Sequence, residues 1–323
     1  MRKFFILCLI ASICLPAQAK QHAVPALEIL WRDRPSGELI WRVFDSDGKT
    51  VSNLQQPNLS PGEAARRNGE PFAQRAPLGS LWKLFVYAWL AAEGRVAPDY
   101  FCTGSPKLRN EEAYCCGAGQ GIGQDLALVR SCGLFFNPKR LGISASAWRA
   151  FWEAQPGVRT DAPWLADLSA MRPDTVVSPF SIVRALEAVP PRPRENAANI
   201  LLSRLFTIAP IPDMSTDELV RRLGGQLRVK TFSWHLPGQP GKPYGGGAGW
   251  LADGRAVWFA GLGTGQQVLA RQGAALGTAL AETLAPGDGA MSAGCVQVNF
   301  FARYAFEVQR PGGKTAPEGV LRG

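Results

Sequence analysis

Pro77-Leu78-Gly79-Ser80-Leu81-Trp82-Lys83-Leu84-Phe85 joins a turn-forming start to the most regular apolar pattern in this chain. From Ser80 onward, Leu81, Leu84, Phe85, Ala88 and Trp89 recur at i, i+3 and i+4 spacing, which predicts a helix through Ala92 that Gly94 stops. Ser80 falls in the first turn and Lys83 three residues on, so hydroxyl and amine share one face. A serine hydroxyl is a poor nucleophile until a base takes its proton. Lysine serves as that base only when its pKa is lowered, and Trp82 and Phe85 offer the apolar surroundings that lower it. The helix N-terminus adds positive potential and N–H groups for a developing oxyanion. The spacing alone is a weak signal. Ser46-Asp47-Gly48-Lys49 repeats it in a hairpin turn, and a serine at such a position also serves simply as a helix cap.

Two further stretches strengthen it by their order. Ser131-Cys132-Gly133 follows Ser80 by about 50 residues in a helical segment, and Lys230-Thr231-Phe232 lies about 100 further on in a predicted strand. S-x-x-K, then S-x-N, then K-T-G is the order of the penicillin-binding protein and serine β-lactamase superfamily. The chain resembles its transpeptidase members from about residue 70 to 285, with Ala127–Phe136 similar to the segment around the second motif. Ser178-Pro179-Phe180-Ser181 is similar to the superfamily's helix opening on S/T-P, and Trp258-Phe259-Ala260-Gly261 to the strand after K-T-G. Pro77–Phe85, Tyr114-Cys115-Cys116-Gly117 and Cys295–Tyr304 also resemble an uncharacterised family of predicted secreted bacterial proteins, the YfaQ-like domain-of-unknown-function group.

The superfamily resemblance implies roles by position. Ser80 is the acylated nucleophile, Lys83 its base and Ser131 a proton relay, while Lys230 and Thr231 hold a substrate carboxylate. The N–H groups of Ser80 and Ser233 form the oxyanion hole. Two positions depart from the pattern. Gly133 stands where the second motif has Asn, removing an amide that orients lysine and substrate. Phe232 stands where the third motif has Gly, and its ring obstructs an approaching acyl group unless strand alternation sends it to the far face.

Composition sets the outer limits. The chain has 323 residues, 46% hydrophobic and 19% charged, which supplies a real core and excludes a disordered protein. The only long apolar run is at the start. Arg2 and Lys3, the Phe4–Leu15 run and Ala17-Gln18-Ala19 read as a signal peptide cleaved after Ala19, which leaves no membrane span and implies a periplasmic or secreted protein. The formal net charge of +9 suits an acidic or carboxylate-bearing partner, while export and the absence of long Lys/Arg runs argue against nucleic acid. Beyond the signal segment lie Cys102, Cys115, Cys116, Cys132 and Cys295, which predict one or two disulfides and leave the pairing open. His22 and His235 are the only histidines and no C-x-x-C occurs, so no metal site and no cofactor are expected. The same shortage argues against a Ser-His-Asp site. His235 reads as a strand histidine, or as a late acid or base. The glycines of Gly117–Gly123 do not form a phosphate loop, since neither G-x-G-x-x-G nor a following Gly-Lys-Ser/Thr is present.

The fold class expected is α/β of the α+β kind, similar to penicillin-binding transpeptidases and β-lactamases: an antiparallel sheet flanked by helices, with a helical lobe. Residues 27–33 and 37–44 predict a hairpin, 53–79 a long loop, and 125–136, 145–154, the segment after Ser178-Pro179, and 195–206 predict helices. Residues 226–234, 249–252 and 255–262 predict strands joined by a Gly/Pro-rich loop and a short Asp253-Gly254 turn, then 274–284 a helix and 296–308 a late strand. Residues 20–323 thus read as one domain, its sheet drawn from 27–52 and 224–308 and its helical lobe from about 80–206. Trp31, Trp41, Trp234, Trp250 and Trp258 read as sheet packing. The function these features imply is an exported serine acyl-transfer enzyme, a peptidase or acyl hydrolase acting on a peptide or peptidoglycan-like substrate. The alternatives are a non-catalytic envelope protein that binds wall peptides or a protein partner, and a structural module in which Ser80 only caps its helix.

Overall fold

The computed structural model describes residues 27–33, 37–44, 50–56, 76–206, 226–236 and 239–281. The expected signal peptide, Cys295, the strand over 296–308 and most of the loop after residue 56 lie outside the described residues. Six strands form one antiparallel sheet: β1 (Leu27–Arg32), β2 (Leu39–Phe44), β3 (Thr50–Gln56), β4 (Leu227–Leu236), β5 (Gln239–Leu251) and β6 (Ala256–Leu262). Their order is β3-β2-β1-β6-β5-β4, so N-terminal and C-terminal segments meet where β1 pairs with β6, Ile29 opposite Phe259. Among the described residues β4 is an edge strand. A strand at 50–56 replaces part of the expected loop.

The strands read as unbroken apolar runs because both faces of the sheet are covered. Leu27, Ile29, Trp31, Val257 and Phe259 face one cluster, closed by Val268, Leu269, Leu276 and Leu280 of α7 (Gly265–Ala281). Leu30, Trp41, Phe232, Trp250 and Trp258 face the other, which is continuous with the helical lobe. Four of the five tryptophans read as sheet packing are buried, and Trp234 is half-buried.

Opposite α7 sits the helical lobe. Its centre is α1 (Trp82–Ala92), entered through a 3-10 turn at Gly79–Leu81 and buried on all sides from Trp82 to Leu90. A helix that is apolar all round belongs inside a lobe. Around it lie α2 (Gln124–Arg130), α3 (Gly133–Phe136), α4 (Ala145–Glu153), α5 (Pro179–Glu187) and α6 (Pro191–Phe206). Trp148 and Trp152 of α4 pack with Trp89 and Phe85 of α1. Ser178 caps α5, its hydroxyl accepting from the Ser181 N–H at 3.1 Å. The mixed helix and antiparallel sheet architecture expected from the sequence is the one found.

Two expectations are corrected. The single helix over 125–136 is broken: α2 ends at Arg130, Ser131 is left-handed (φ 68°, ψ 33°), and α3 opens at Gly133. The Gly/Pro-rich loop before residue 249 is instead the long strand β5. Its glycines belong there for lack of space, since a Cβ on Gly245 would lie 2.5 Å from the Gly265 nitrogen at the start of α7. Ser233 on β4 receives that same Gly265 N–H at 2.9 Å, which seats the α7 N-terminus against the edge of the sheet.

Candidate active site

Ser80, Lys83 and Ser131 come together. The Lys83 Nζ lies 3.1 Å from the Ser80 Oγ and 3.2 Å from the Ser131 Oγ, bridging two hydroxyls that are 51 positions apart in the chain. Ser80 makes no cap bond: neither the 3-10 turn nor α1 has a side-chain cap, and the Ser80 oxygen is turned to the lysine instead. Lys83 is buried, and among the described residues no carboxylate pairs with it. Burial lowers its ammonium from the ordinary lysine value to about 8. The Trp82 ring, 5.5 Å from the ammonium, is the nearby aromatic face.

The turn that presents Ser80 is pressed against the edge strand. Gly79 has φ +51°, and a Cβ there would meet the Ser233 carbonyl oxygen at 3.1 Å and the Phe232 Cβ at 3.2 Å. Glycine is the residue that permits both the left-handed backbone and this approach.

Ser131 is the only non-glycine residue with positive φ among the described residues. The left-handed region costs an ordinary residue about 1–2 kcal/mol. It persists because the neighbouring chain is tied down. Cys132 is bonded to Cys115, Cys116 to Cys102, and the Arg130 guanidinium donates to the Cys115 carbonyl oxygen at 3.2 Å. These are the two disulfides the cysteine spacing allowed. The loop they staple is organised by Glu112, whose carboxylate accepts the Thr103 and Gly104 N–H groups at 2.7 and 2.8 Å and is held below the usual carboxylate range chiefly by the Thr103 N–H.

Two cavities flank the lysine. One, of about 520 Å³, opens toward the β4 edge; its lining includes Ser80, Lys83, Ser131, Thr231 and Ser233. The other, of about 480 Å³, lies on the Gly133 side with Glu111, Asn137 and Arg172 in its wall. Tyr114 lines both. Thr231 and Ser233 thus share a cavity with the three clustered residues. Lys230 does not: it is 1% exposed, faces the helical lobe with Phe232, and donates to the Thr231 carbonyl oxygen at 3.2 Å. Phe232 is among the residues lining the β4 cavity, yet it is 2% exposed, and its ring stacks on Trp234 at 5.3 Å. His235 is exposed at the rim.

Tyr114, Arg130, Trp234, Thr264 and Gln266 also line the β4 cavity. Sequence reasoning gave none of them a role in the site. Tyr114 and Arg130 lie in stretches that carry the resemblances, and the Cys115–Cys132 bridge joins the segments next to them.

Known proteins resemble the chain in three ways. It is 39% identical over 246 residues to "Uncharacterized protein YfaQ" of Escherichia coli (strain K12), an alignment that takes in 76% of this chain and 41% of that protein. Among solved structures it is similar to PBP-A (TM-score 0.40, 14% identity, 81% of this chain and 92% of that one). It is also similar to a class D β-lactamase from Sebaldella termitidis (TM-score 0.40, 12% identity, 73% and 79%) and to an ancestral class A β-lactamase (TM-score 0.39, 14% identity, 79% and 94%). Residues 108–241, which hold Ser131, Lys230, Thr231 and Ser233, match the family described as "Predicted secreted protein (DUF2300)", and the chain carries that family's segment.

Proposed function

We propose that this chain is an exported serine acyl-transfer enzyme that cleaves a peptide or peptidoglycan-like substrate through an acyl-enzyme on Ser80. The observation that carries this reading is the buried Lys83 amine bridging the Ser80 and Ser131 hydroxyls without a carboxylate partner among the described residues. Neutral Lys83 accepts the Ser80 proton as Oγ attacks the acyl carbonyl carbon. The N–H groups of Ser80 and Ser233 stabilise the oxyanion, and the close seat of Gly79 on Ser233 supports that pairing. On collapse the bond to the leaving amine breaks, and the proton reaches that nitrogen from Lys83 by way of Ser131. Water or a second amine then attacks the Ser80 ester, with Lys83 again taking the proton. No metal or cofactor enters these steps.

A second reading has its own support. Gly133 supplies no amide beside Lys83, and Lys230 lies outside the cavity lining. A protein that binds wall peptides in this groove without turning them over suits those two features. Turnover separates the two readings. Release of thiol from an N-acyl-D-alanyl thioester, followed with a thiol reagent, is expected for the wild type and absent from Ser80→Ala. Tight binding without release by either protein would favour the binding module.

A further inference from the structure

The two disulfides differ in exposure. Cys102, Cys115 and Cys132 are 2%, 1% and 0% exposed, while Cys116 is half-buried beside the exposed residues 117–121. The Cys102–Cys116 bridge is therefore reachable from solvent, and the Cys115–Cys132 bridge is enclosed. The enclosed bridge holds a segment with two competing backbones. Local pattern over 125–136 favours one continuous helix, yet α2 stops at Arg130, Ser131 turns left-handed and α3 opens at Gly133. The left-handed turn is unfavourable for a residue with a Cβ, so something must hold it. Cys132 is bonded to Cys115, and its sulfur accepts the Phe135 N–H at 3.3 Å, capping α3. The Arg130 guanidinium, on the other side of Ser131, donates to the Cys115 carbonyl oxygen at 3.2 Å. Continuing α2 through Ser131 would redirect its hydroxyl away from the Lys83 amine, which it meets at 3.2 Å.

We propose that the two bridges form an ordered redox device: Cys116 is the site where an external dithiol exchanges first, and closure of Cys115–Cys132 is what sets Ser131 against Lys83. The output of the device rests on the acyl-transfer reading. In the exchange, a thiolate of the dithiol attacks the Cys116 sulfur, the S–S bond breaks, and Cys102 leaves as a thiolate that takes a proton. The second thiol of the dithiol then displaces Cys116. Two electrons and two protons have passed to the protein, and the dithiol has become a disulfide. The same steps at Cys115–Cys132 require the loop to open, because both sulfurs are enclosed. A chain folded under reducing conditions thus lacks the serine–lysine cluster until it is oxidised, and the outer bridge reacts ahead of the one the cluster depends on.

The test uses the full mature chain with Cys295→Ala, so that exchange is confined to the two bridges, in graded buffers of reduced and oxidised dithiothreitol. At each step iodoacetamide traps free thiols in one aliquot for mapping by mass, and a fluorophosphonate reads Ser80 in another. Cys102 and Cys116 are expected to be trapped first, with labelling changed by less than about twofold. Trapping of Cys115 and Cys132 follows. Labelling is expected to fall with it by about tenfold or more and to recover on reoxidation. Trapping of Cys115 and Cys132 first, labelling that survives their reduction, or labelling lost with Cys102 and Cys116 alone overturns the proposal. So does global unfolding at the second step, read as loss of near-ultraviolet circular dichroism. Hydrogen exchange across residues 124–136 reads the turn without any activity, and is expected to change at the second step and not the first. Unchanged exchange sinks the device. Changed exchange in a protein whose oxidised form takes no label sinks the enzyme and leaves the redox-held turn.

Discussion

Gly79 and Ser233 touch backbone to backbone: a methyl group added at residue 79 would stand 3.1 Å from the Ser233 carbonyl oxygen. The contact fixes the distance between the serine turn of the helical lobe and the edge strand of the sheet, and so the width of the groove between them. Gly79→Ala adds that methyl and forces a side chain into a left-handed backbone at φ +51°. The expected cost is about 1–3 kcal/mol in chemical denaturation. Fluorophosphonate labelling of Ser80 should fall by about tenfold or more, because the turn must move off the strand.

On the proposed mechanism, Lys83 sets the pH dependence. With its ammonium lowered to about 8, roughly a tenth of the protein holds the neutral base at pH 7. Acylation of Ser80 should therefore rise with pH through a midpoint near 8, read from labelling rates between pH 6 and 9.5. A flat profile contradicts lysine as the base. The stability sign follows from the same shift. The unfolded chain binds the lysine proton more tightly than the folded one, so the burial penalty is full below about pH 8 and fades as pH rises toward 10.5. Lys83→Met should abolish labelling yet raise stability at pH 7 by about 1–3 kcal/mol.

The Cys115–Cys132 bridge holds Ser131 in its left-handed turn. The double variant Cys115→Ala, Cys132→Ala should lose about 2–4 kcal/mol of stability. It should also lose labelling rate by about tenfold, because the turn loses its restraint and the 3.2 Å contact to Lys83 loosens. The Cys102→Ala, Cys116→Ala pair should destabilise the protein with a smaller effect on rate. Denaturation curves and labelling kinetics on the wild type and the two double variants decide it.

Phe232 is structural. Its buried ring stacks on Trp234 and Trp258 under the helical lobe. Phe232→Gly, which restores the K-T-G spelling, should cost about 3–5 kcal/mol and bring no gain in labelling rate. A stable variant with faster labelling would show that the ring obstructs the cavity.

The sequence disclosed the sheet and the helix behind Ser80 because both depend on local pattern: continuous apolar runs in β1 and β6, and helical spacing from Leu81 to Trp89. The break at Ser131 was hidden. Leu126–Phe136 is apolar enough to be one helix, and the left-handed turn comes from a disulfide whose partner lies in another loop. Strand β5 was hidden for the opposite reason. Its glycines spell a loop, and only the crowding by α7 and β6 makes them strand residues. Ser80, Lys83 and Ser131 could be singled out from order and spacing. The burial of Lys230 could not, because it depends on which face of the edge strand packs against the lobe. Arg130 lies in the stretch similar to the second-motif segment, but nothing in the sequence gave it a role in the site.

Intact-mass analysis of the mature, oxidised protein after incubation with a fluorophosphonate, beside Ser80→Ala, tests the central claim most directly. The account predicts a single adduct on the wild type, mapped to the Ser80 peptide and absent from the variant. A folded wild-type protein that gains no mass would contradict an activated Ser80 and leave the groove as a binding site.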